Sequence, residues 1–325
     1  MKAIGGYFEA EKIGDEVINN FDRALLMQSG RSSLHFILSQ SEILKIYIPE
    51  FLCDVILEPI RLLELNYEFY PLSPQLELDQ PIALKANEVI LYINYFGLKT
   101  AYGLTLSENY GKQLILDNTH DFFFVPPVTF GSWSFNSVRK FLGTPDGSLL
   151  YCPINHKINA PIDKNTSYRI DHLTLRSNGF LEEGYAAYKK NEELMNSANC
   201  LASDYTKHVL ENINLKKLQE QRQANYSYLH EKLKHLNVLP LLLDRVPFSP
   251  FSYPLMLENE LNHVQLWNLM IFSPVLWPNC LAEKTDQYTI AYRYSKHILH
   301  LPIDHRYTVD DMEEIINRLV ICGIS

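Results

Sequence analysis

Several features that would assign this 325-residue chain to a class at once are missing from it. Its five cysteines (Cys53, Cys152, Cys200, Cys280 and Cys322) are odd in number and widely spaced, which fits reduced thiols rather than a disulfide framework or a zinc site. No apolar run approaches 18 residues, and the opening MKAIGGYFEAEK has no apolar signal core. Neither a membrane span nor a secretory leader is expected, and the expected location is cytoplasmic. The sequons at Asn165 and Asn225 carry no meaning without export. Positive charge is scarce: Lys and Arg total 29 against 38 Asp and Glu, for a formal net charge of −9. The lysines from Lys157 to Lys164 and from Lys207 to Lys217 are scattered rather than clustered, so nucleic acid is not an expected partner. GxGxxG, GxxxxGK[ST] and GxSxG are all absent, which removes the usual dinucleotide, nucleoside-triphosphate and serine-hydrolase signatures. The groups His297, His300, His305 and His230, His235 have no carboxylate or Cys at metal spacing, so no metal is expected. His300, between Leu299 and Leu301, reads as structural.

What is present is a core. At 46% hydrophobic and 12% aromatic, the chain has enough apolar surface for one large domain and a smaller one. From Ser32 to about Cys152, short apolar runs alternate with helical patterns. Leu44–Ile48, Tyr67–Tyr70, Val89–Ile93, Leu114–Leu116 and Ser148–Cys152 read as strands, and Phe51–Leu65 as an amphipathic helix. Such alternation indicates a mostly parallel sheet with crossover helices, whose ligands bind beyond the carboxyl ends of the strands. Glu182–Leu236 reads as mostly helical, and four prolines between Pro240 and Pro254 then change its character. A boundary near Asn237 divides the chain into a large domain (1–236) and a small C-terminal α+β domain (237–325). The latter is expected to hold strands at Phe251–Leu257 and Ile298–Leu301 and helices at Asn262–Ile271 and Val309–Cys322.

The most informative segment is QLILDNTHDFFFVPPVTFGSWSFNSVRKFLGTPDG. An apolar run ends in Asp117, and Lys140 follows 23 positions later, three after Ser137 and just before Pro145-Asp146-Gly147. A carboxylate at the end of a buried strand can pair with a protonated pyridine nitrogen. A downstream lysine can form a Schiff base, and a serine can reach a phosphate. These are the needs of a pyridoxal phosphate (PLP) site, although an Asp ending a strand and a Lys in a loop also occur together by chance. Upstream, Gln28-Ser29-Gly30-Arg31-Ser32-Ser33 opens an apolar-periodic helix, whose free amides suit a phosphate. An ordinary N-cap by Ser29 or Ser32 would look the same. Phosphate cradle, carboxylate and lysine in this order make a more specific constellation than any one of them. Trp277, between prolines, reads as a pocket wall or as packing, and Tyr95 and Phe96 as facing a ring or filling the sheet edge.

Carried by IGGYFE, SGRSSL, IPEFLCD, LYINYFG, DNTHDFF, NSVRKFLGTPDG and LHLPIDHRYTVDDM, the chain resembles the DegT-type sugar aminotransferases, over nearly its whole length. It is most similar to a short branch with an Asn-Ser-x-Arg-Lys-Phe block followed by Pro-Asp-Gly. The resemblance implies a fold-type I PLP-dependent transferase, in which a large domain with a mostly parallel central sheet joins a small α+β domain. It implies Lys140 as the Schiff-base lysine, Asp117 as the pyridinium partner and His120 where a Gln commonly meets the ring hydroxyl. Gly30, Arg31 and Ser32 fall on the phosphate turn, Ser134 and Ser137 are alternative phosphate ligands, and Cys53 takes the position of a stacking aromatic, with Phe51 nearby. Tyr95 and Trp277 are candidate substrate contacts. Two departures are the short Pro-Asp-Gly-Ser run after the lysine and the missing Asn-x-Arg of a neighbouring subunit. The implied reaction moves an amino group, from glutamate, onto a nucleotide-linked keto sugar in amino-sugar and surface polysaccharide biosynthesis, in a homodimer. Two rivals remain: another PLP reaction such as sugar dehydration, against which Lys140 argues, and a silent member that binds a nucleotide sugar or a partner protein.

Overall fold

The computed structural model describes all residues except 15, 20, 22, 41, 154–159, 163–168, 198, 242, 244–248, 259–262, 283–285, 322 and 324–325. Cys322, the Asn165 sequon, Lys157, Lys164 and the expected helix start at Asn262 therefore lie outside the described residues. Among the described residues, the first half runs β1 (Ile4–Gly5), β2 (Ala24–Met27), α1 (Gly30–Ser39), β3 (Lys45–Pro49), α2 (Leu57–Leu62), β4 (Asn66–Tyr70), β5 (Glu88–Ile93), α3 (Thr100–Tyr110), β6 (Leu114–Asn118), β7 (Trp133–Asn136) and β8 (Ser148–Tyr151). The second half runs α4 (Asp171–Ser177), α5 (Leu181–Leu194), α6 (Asp204–Glu211), α7 (Leu215–Leu233), β9 (Tyr253–Leu255), α8 (His263–Asn268), β10 (Ile271–Phe272), α9 (Ile290–His297), β11 (Leu299–Leu301) and α10 (Val309–Ile321).

Seven strands form one sheet in the order β2-β8-β7-β6-β5-β3-β4. Neighbours from β7 through β4 pair in parallel, and β8 runs antiparallel to both β7 and β2. β5 and β6 are buried at every position, which is why they read as unbroken apolar runs rather than alternating ones. Strands β2 and β7, which the sequence does not announce, complete the sheet beside β8.

Three expected spans are broken by identifiable residues. The helix expected over Phe51–Leu65 is a short turn at Asp54–Ile56 followed by α2, ended by a turn with Glu64 in the left-handed region (φ 53°). The helical stretch from Glu182 is cut twice, where Ser203 caps α6 and Asn214 caps α7. The helix before Ile271 stops at Asn268, with Met270 at φ 57°.

Three apolar clusters hold these elements. The largest packs the sheet against α1 and α2. A second gathers Ile4, Tyr226, Leu229, Tyr253, Leu255, Leu299 and Met312, so the chain's start joins its last elements through the parallel pair β1–β10. The third buries Val138, Phe141 and Leu142 against Val209, Leu210 and Ile213, and thereby fixes the loop that carries Lys140.

The N-terminal segment straps across that loop. Glu11 Oε2 accepts the Gly143 N–H at 2.9 Å, and the Glu11 N–H donates to the Gly143 carbonyl at 3.3 Å. A Cβ at Gly143 would stand 1.8 Å from the Glu9 carbonyl oxygen. Gly143→Ala is therefore expected to displace the strap and cost roughly 3 kcal/mol, the upper range for over-packing. Thermal melting and protease sensitivity near residues 7–11 measure this, and an unchanged melt would show that the contact is not tight.

Candidate active site

Pleat parity sorts the residues at the carboxyl edge of the sheet. Asp117 pairs with Phe135, whose ring lies against Gly30 at the start of α1, so Asp117 faces α1. Ser134 and Asn118 point to the opposite face. There the Asn118 amide donates to Ser134 Oγ at 2.8 Å, and Asn118 Oδ1 accepts from Asn94 at 3.0 Å. Asn94 and Thr100 also donate to Asp121 Oδ2, at 3.2 and 2.7 Å. This buried network, which sequence reading missed, holds the β5 and β6 ends in register, and burial pushes the Asp121 carboxyl up to about 7. Ser134 does not share the parity of Asp117, and Ser137 lies just past the end of β7.

The Asp117 carboxylate is buried, and Oδ1 accepts the Thr119 N–H at 2.8 Å. Burial pushes its pKa up to about 6, against the pull of the Thr119 bonds and of the Lys140 charge. A buried carboxylate in this state is short of a positive partner.

At the α1 start, Ser29 is the N-cap and its Oγ accepts the Ser32 N–H at 3.2 Å. The capping reading of this turn is therefore correct. It leaves the Gly30 and Arg31 amides without an acceptor among the described residues. The Arg31 side chain turns away to Glu58, at 2.6 Å, and its other nitrogen reaches the Glu192 carbonyl at 3.5 Å. Glu192 also pairs with Arg139. Arg31 thus presents its amide, not its guanidinium, on the Asp117 side.

Lys140 Nζ lies 3.4 Å from His120 Nε2 and 5.4 Å from the centre of the Phe251 ring. His120 is fully buried and nearly parallel to Phe251 and Trp277, with centroids at 4.8 and 5.7 Å. Trp277 also meets Phe51 edge-on at 4.3 Å. Tyr95 is carried into the core: it stacks on Phe51, and its hydroxyl donates to the Phe51 carbonyl at 2.8 Å. Cys53 is half-buried; burial raises its thiol pKa, and the nearby Lys140 charge pulls it back.

The Pro145-Asp146-Gly147 turn is structural. The Asp146 carboxylate takes the Ser203 hydroxyl at 2.9 Å, the Ser203 N–H at 3.1 Å and the Thr206 hydroxyl, tying the lysine loop to the α6 start. Gly147, at φ 121°, donates to the Gln28 carbonyl at 2.7 Å, and this bond links the same loop to the α1 turn.

Solved structures share this arrangement of elements. The PLP form of the putative sugar aminotransferase Spr1654 from Streptococcus pneumoniae matches with a TM-score of 0.62 at 14% identity, over 90% of this chain and 85% of its own. The chain has the fold of the sugar aminotransferases. CalS13 from Micromonospora echinospora matches with a TM-score of 0.56 at 14% identity, over 91% and 86% of the two chains. DesI, solved in the presence of its TDP-sugar product, matches with a TM-score of 0.58 at 14% identity, over 92% and 80%. No family model and no curated protein matches the sequence. Among the described residues, no helix is long and apolar enough to cross a membrane.

Proposed function

We propose that the chain is a PLP-dependent aminotransferase acting on a nucleotide-linked keto sugar, with glutamate as amino donor and a homodimer as the working unit. The observation that carries the reading is a single face: Asp117 and the free amides of Gly30 and Arg31 share one side of the sheet edge. Lys140 stands on the rigid loop beyond β7. These residues fit the cofactor. Among the described residues the buried Asp117 carboxylate has no ion-pair partner, the place a protonated pyridine nitrogen would take, and the α1 start offers amides to a phosphate.

When bound, PLP supplies an electron sink and an aldehyde that takes up the amino group. Lys140 would join that aldehyde and, once released, move the proton at the substrate carbon. Asp117 would hold the proton on the ring nitrogen, through a charge-assisted bond worth about 1.5–3 kcal/mol. Gly30, Arg31, Ser32 and Ser137 would hold the phosphate, His120 would meet the ring hydroxyl, and Cys53 and Trp277 would border the ring and the sugar. The sugar, its nucleotide and the donor rest on the resemblance and on likeness to proteins such as DesI.

The test is borohydride reduction of the PLP-loaded protein followed by peptide mapping. The pyridoxyl group is expected on Lys140. An adduct on another lysine, such as Lys112, would overturn the assignment, and a colourless protein that takes up no PLP would favour the silent binder.

A further inference from the structure

His120 is held at both ring nitrogens. Its Nδ1 accepts the Phe96 backbone N–H at 3.3 Å, while Nε2 faces Lys140 Nζ at 3.4 Å. Three aromatic rings lie near-parallel to the imidazole: Phe251, Trp277 and, at 6.2 Å and 20°, Phe96. They oppose the flip that would exchange the two nitrogens. The Phe96 amide is aimed by unusual backbone, with Phe96 itself in the left-handed region (φ 59°, ψ 6°) and Gly97 following at φ 78°. A bulky residue adopts that conformation only at a cost in free energy, and such strain persists where the surroundings impose it. Gly97 is required there, since a Cβ would stand 2.4 Å from the His120 carbonyl oxygen.

The Phe96 contact leaves one arrangement of protons on Nδ1. A hydrogen on Nδ1 would point at the Phe96 amide hydrogen, which excludes both the imidazolium and the Nδ1–H tautomer. We propose that the strained Phe96-Gly97 turn locks His120 as the neutral Nε2–H tautomer, so that its hydrogen is delivered to the cofactor oxygen beside Lys140. Phe96 is thus a positioning residue acting through its backbone. The ionisable groups around the ring are Lys140 at Nε2, His300 packed on Phe96 at 4.8 Å, Arg222 bonded to the Phe251 carbonyl at 3.0 Å, and Asp117 three residues upstream. Burial, and then the charges of Lys140 and His300, hold the His120 pKa well below the usual range, in the same direction.

The tautomer does not depend on the proposed function; delivery to the cofactor oxygen rests on it. Two measurements separate them. In cofactor-free protein labelled with 15N-histidine, the resonance missing from His120→Gln is expected to show a bare Nδ1 and a protonated Nε2, unchanged between about pH 5.5 and 9. A titrating His120, or a proton on Nδ1, would overturn the lock. In PLP-loaded protein, the pH midpoint of the absorbance of Lys140-bound cofactor is the second readout. A donor to the cofactor oxygen weakens that oxygen's hold on the proton it shares with the Lys140 nitrogen. His120→Phe is therefore expected to raise the midpoint by about one pH unit, the size of one lost hydrogen bond, while His120→Gln keeps a donor and stays near wild type. An unshifted midpoint in His120→Phe would overturn the delivery. Failure to take up PLP would remove both the delivery and the proposed function, and the NMR result on the lock would still stand.

Discussion

Lys140→Ala is expected to lower turnover about a thousandfold or more while leaving the fold in place. Removal of a general acid–base group alone is worth about 10²–10⁴, and this variant also loses the covalent attachment. The loop does not need the lysine to hold its shape. Val138, Phe141 and Leu142 anchor it in the third cluster, and Val138 donates to the Gly147 carbonyl at 3.0 Å while accepting from both Phe141 and Leu142 at 2.9 Å. Lys140 itself is half-buried, and its ammonium end lies over Phe251. The melting temperature should therefore stay within a few degrees of wild type. Borohydride should fix no cofactor to the chain. Small primary amines added to the solution should restore part of the rate by taking up the proton-transfer role in the space the side chain leaves. A variant with normal turnover would remove Lys140 from the chemistry. A pure nucleotide-sugar binder would keep its affinity for the sugar in this variant and show no turnover in either form.

The sequence displays some of this site openly and hides the rest for physical reasons. Leu114–Leu116 running into Asp117 is visible because a parallel strand buried on both faces must be apolar throughout, so a terminal carboxylate stands out. The α1 start is visible because a small-polar turn before an apolar-periodic helix is a local signal. The side to which Ser134 turns is not local: it follows from the register Asp117–Phe135, which exists only once β6 and β7 pair. Strand β2 is four residues long and pairs with a strand more than a hundred residues later, and the partner of β1 is β10, near the other end of the chain. Arg222 sits in a helix whose surroundings, LKKLQEQRQAN, read as solvated. Yet its guanidinium is fully buried, bonded to Ser249 Oγ and the Pro250 carbonyl, and lies over Phe141 at 4.6 Å. Only the fold of the 249–251 segment over α7 makes that position an interior one. The hold on His120 is likewise invisible in DNTHDFF, because it depends on a left-handed Phe96 in another loop, for which Gly97 is the only local sign.

Asp117→Asn separates chemistry from folding more sharply than any other substitution at this site. The asparagine keeps the size of the side chain and an oxygen for the Thr119 N–H, and the phosphate turn and Lys140 are untouched, so PLP content should be near normal. Turnover should fall at least a hundredfold, which corresponds to about 2.7 kcal/mol of lost transition-state stabilisation, because an amide does not hold the pyridine nitrogen protonated. The cofactor-free protein gives an independent check. Burial raises the folded-state pKa of Asp117 to about 6, above its ordinary value of 3.8. Its contribution to stability is thus fully present below about pH 4 and is lost as the pH rises through 6, since the folded chain holds the proton that the unfolded chain releases. Two pK units correspond to roughly 3 kcal/mol as an upper figure. Asp121, raised to about 7, adds a similar slope that the variant retains. Denaturant unfolding of cofactor-free protein at pH 4.5 and 7.5 should therefore show a smaller loss of stability with rising pH in Asp117→Asn than in wild type. In wild-type protein loaded with PLP, a cation opposite the carboxylate should flatten the same slope. Full turnover in Asp117→Asn, together with a pH slope equal to wild type, would reduce Asp117 to a strand-end cap.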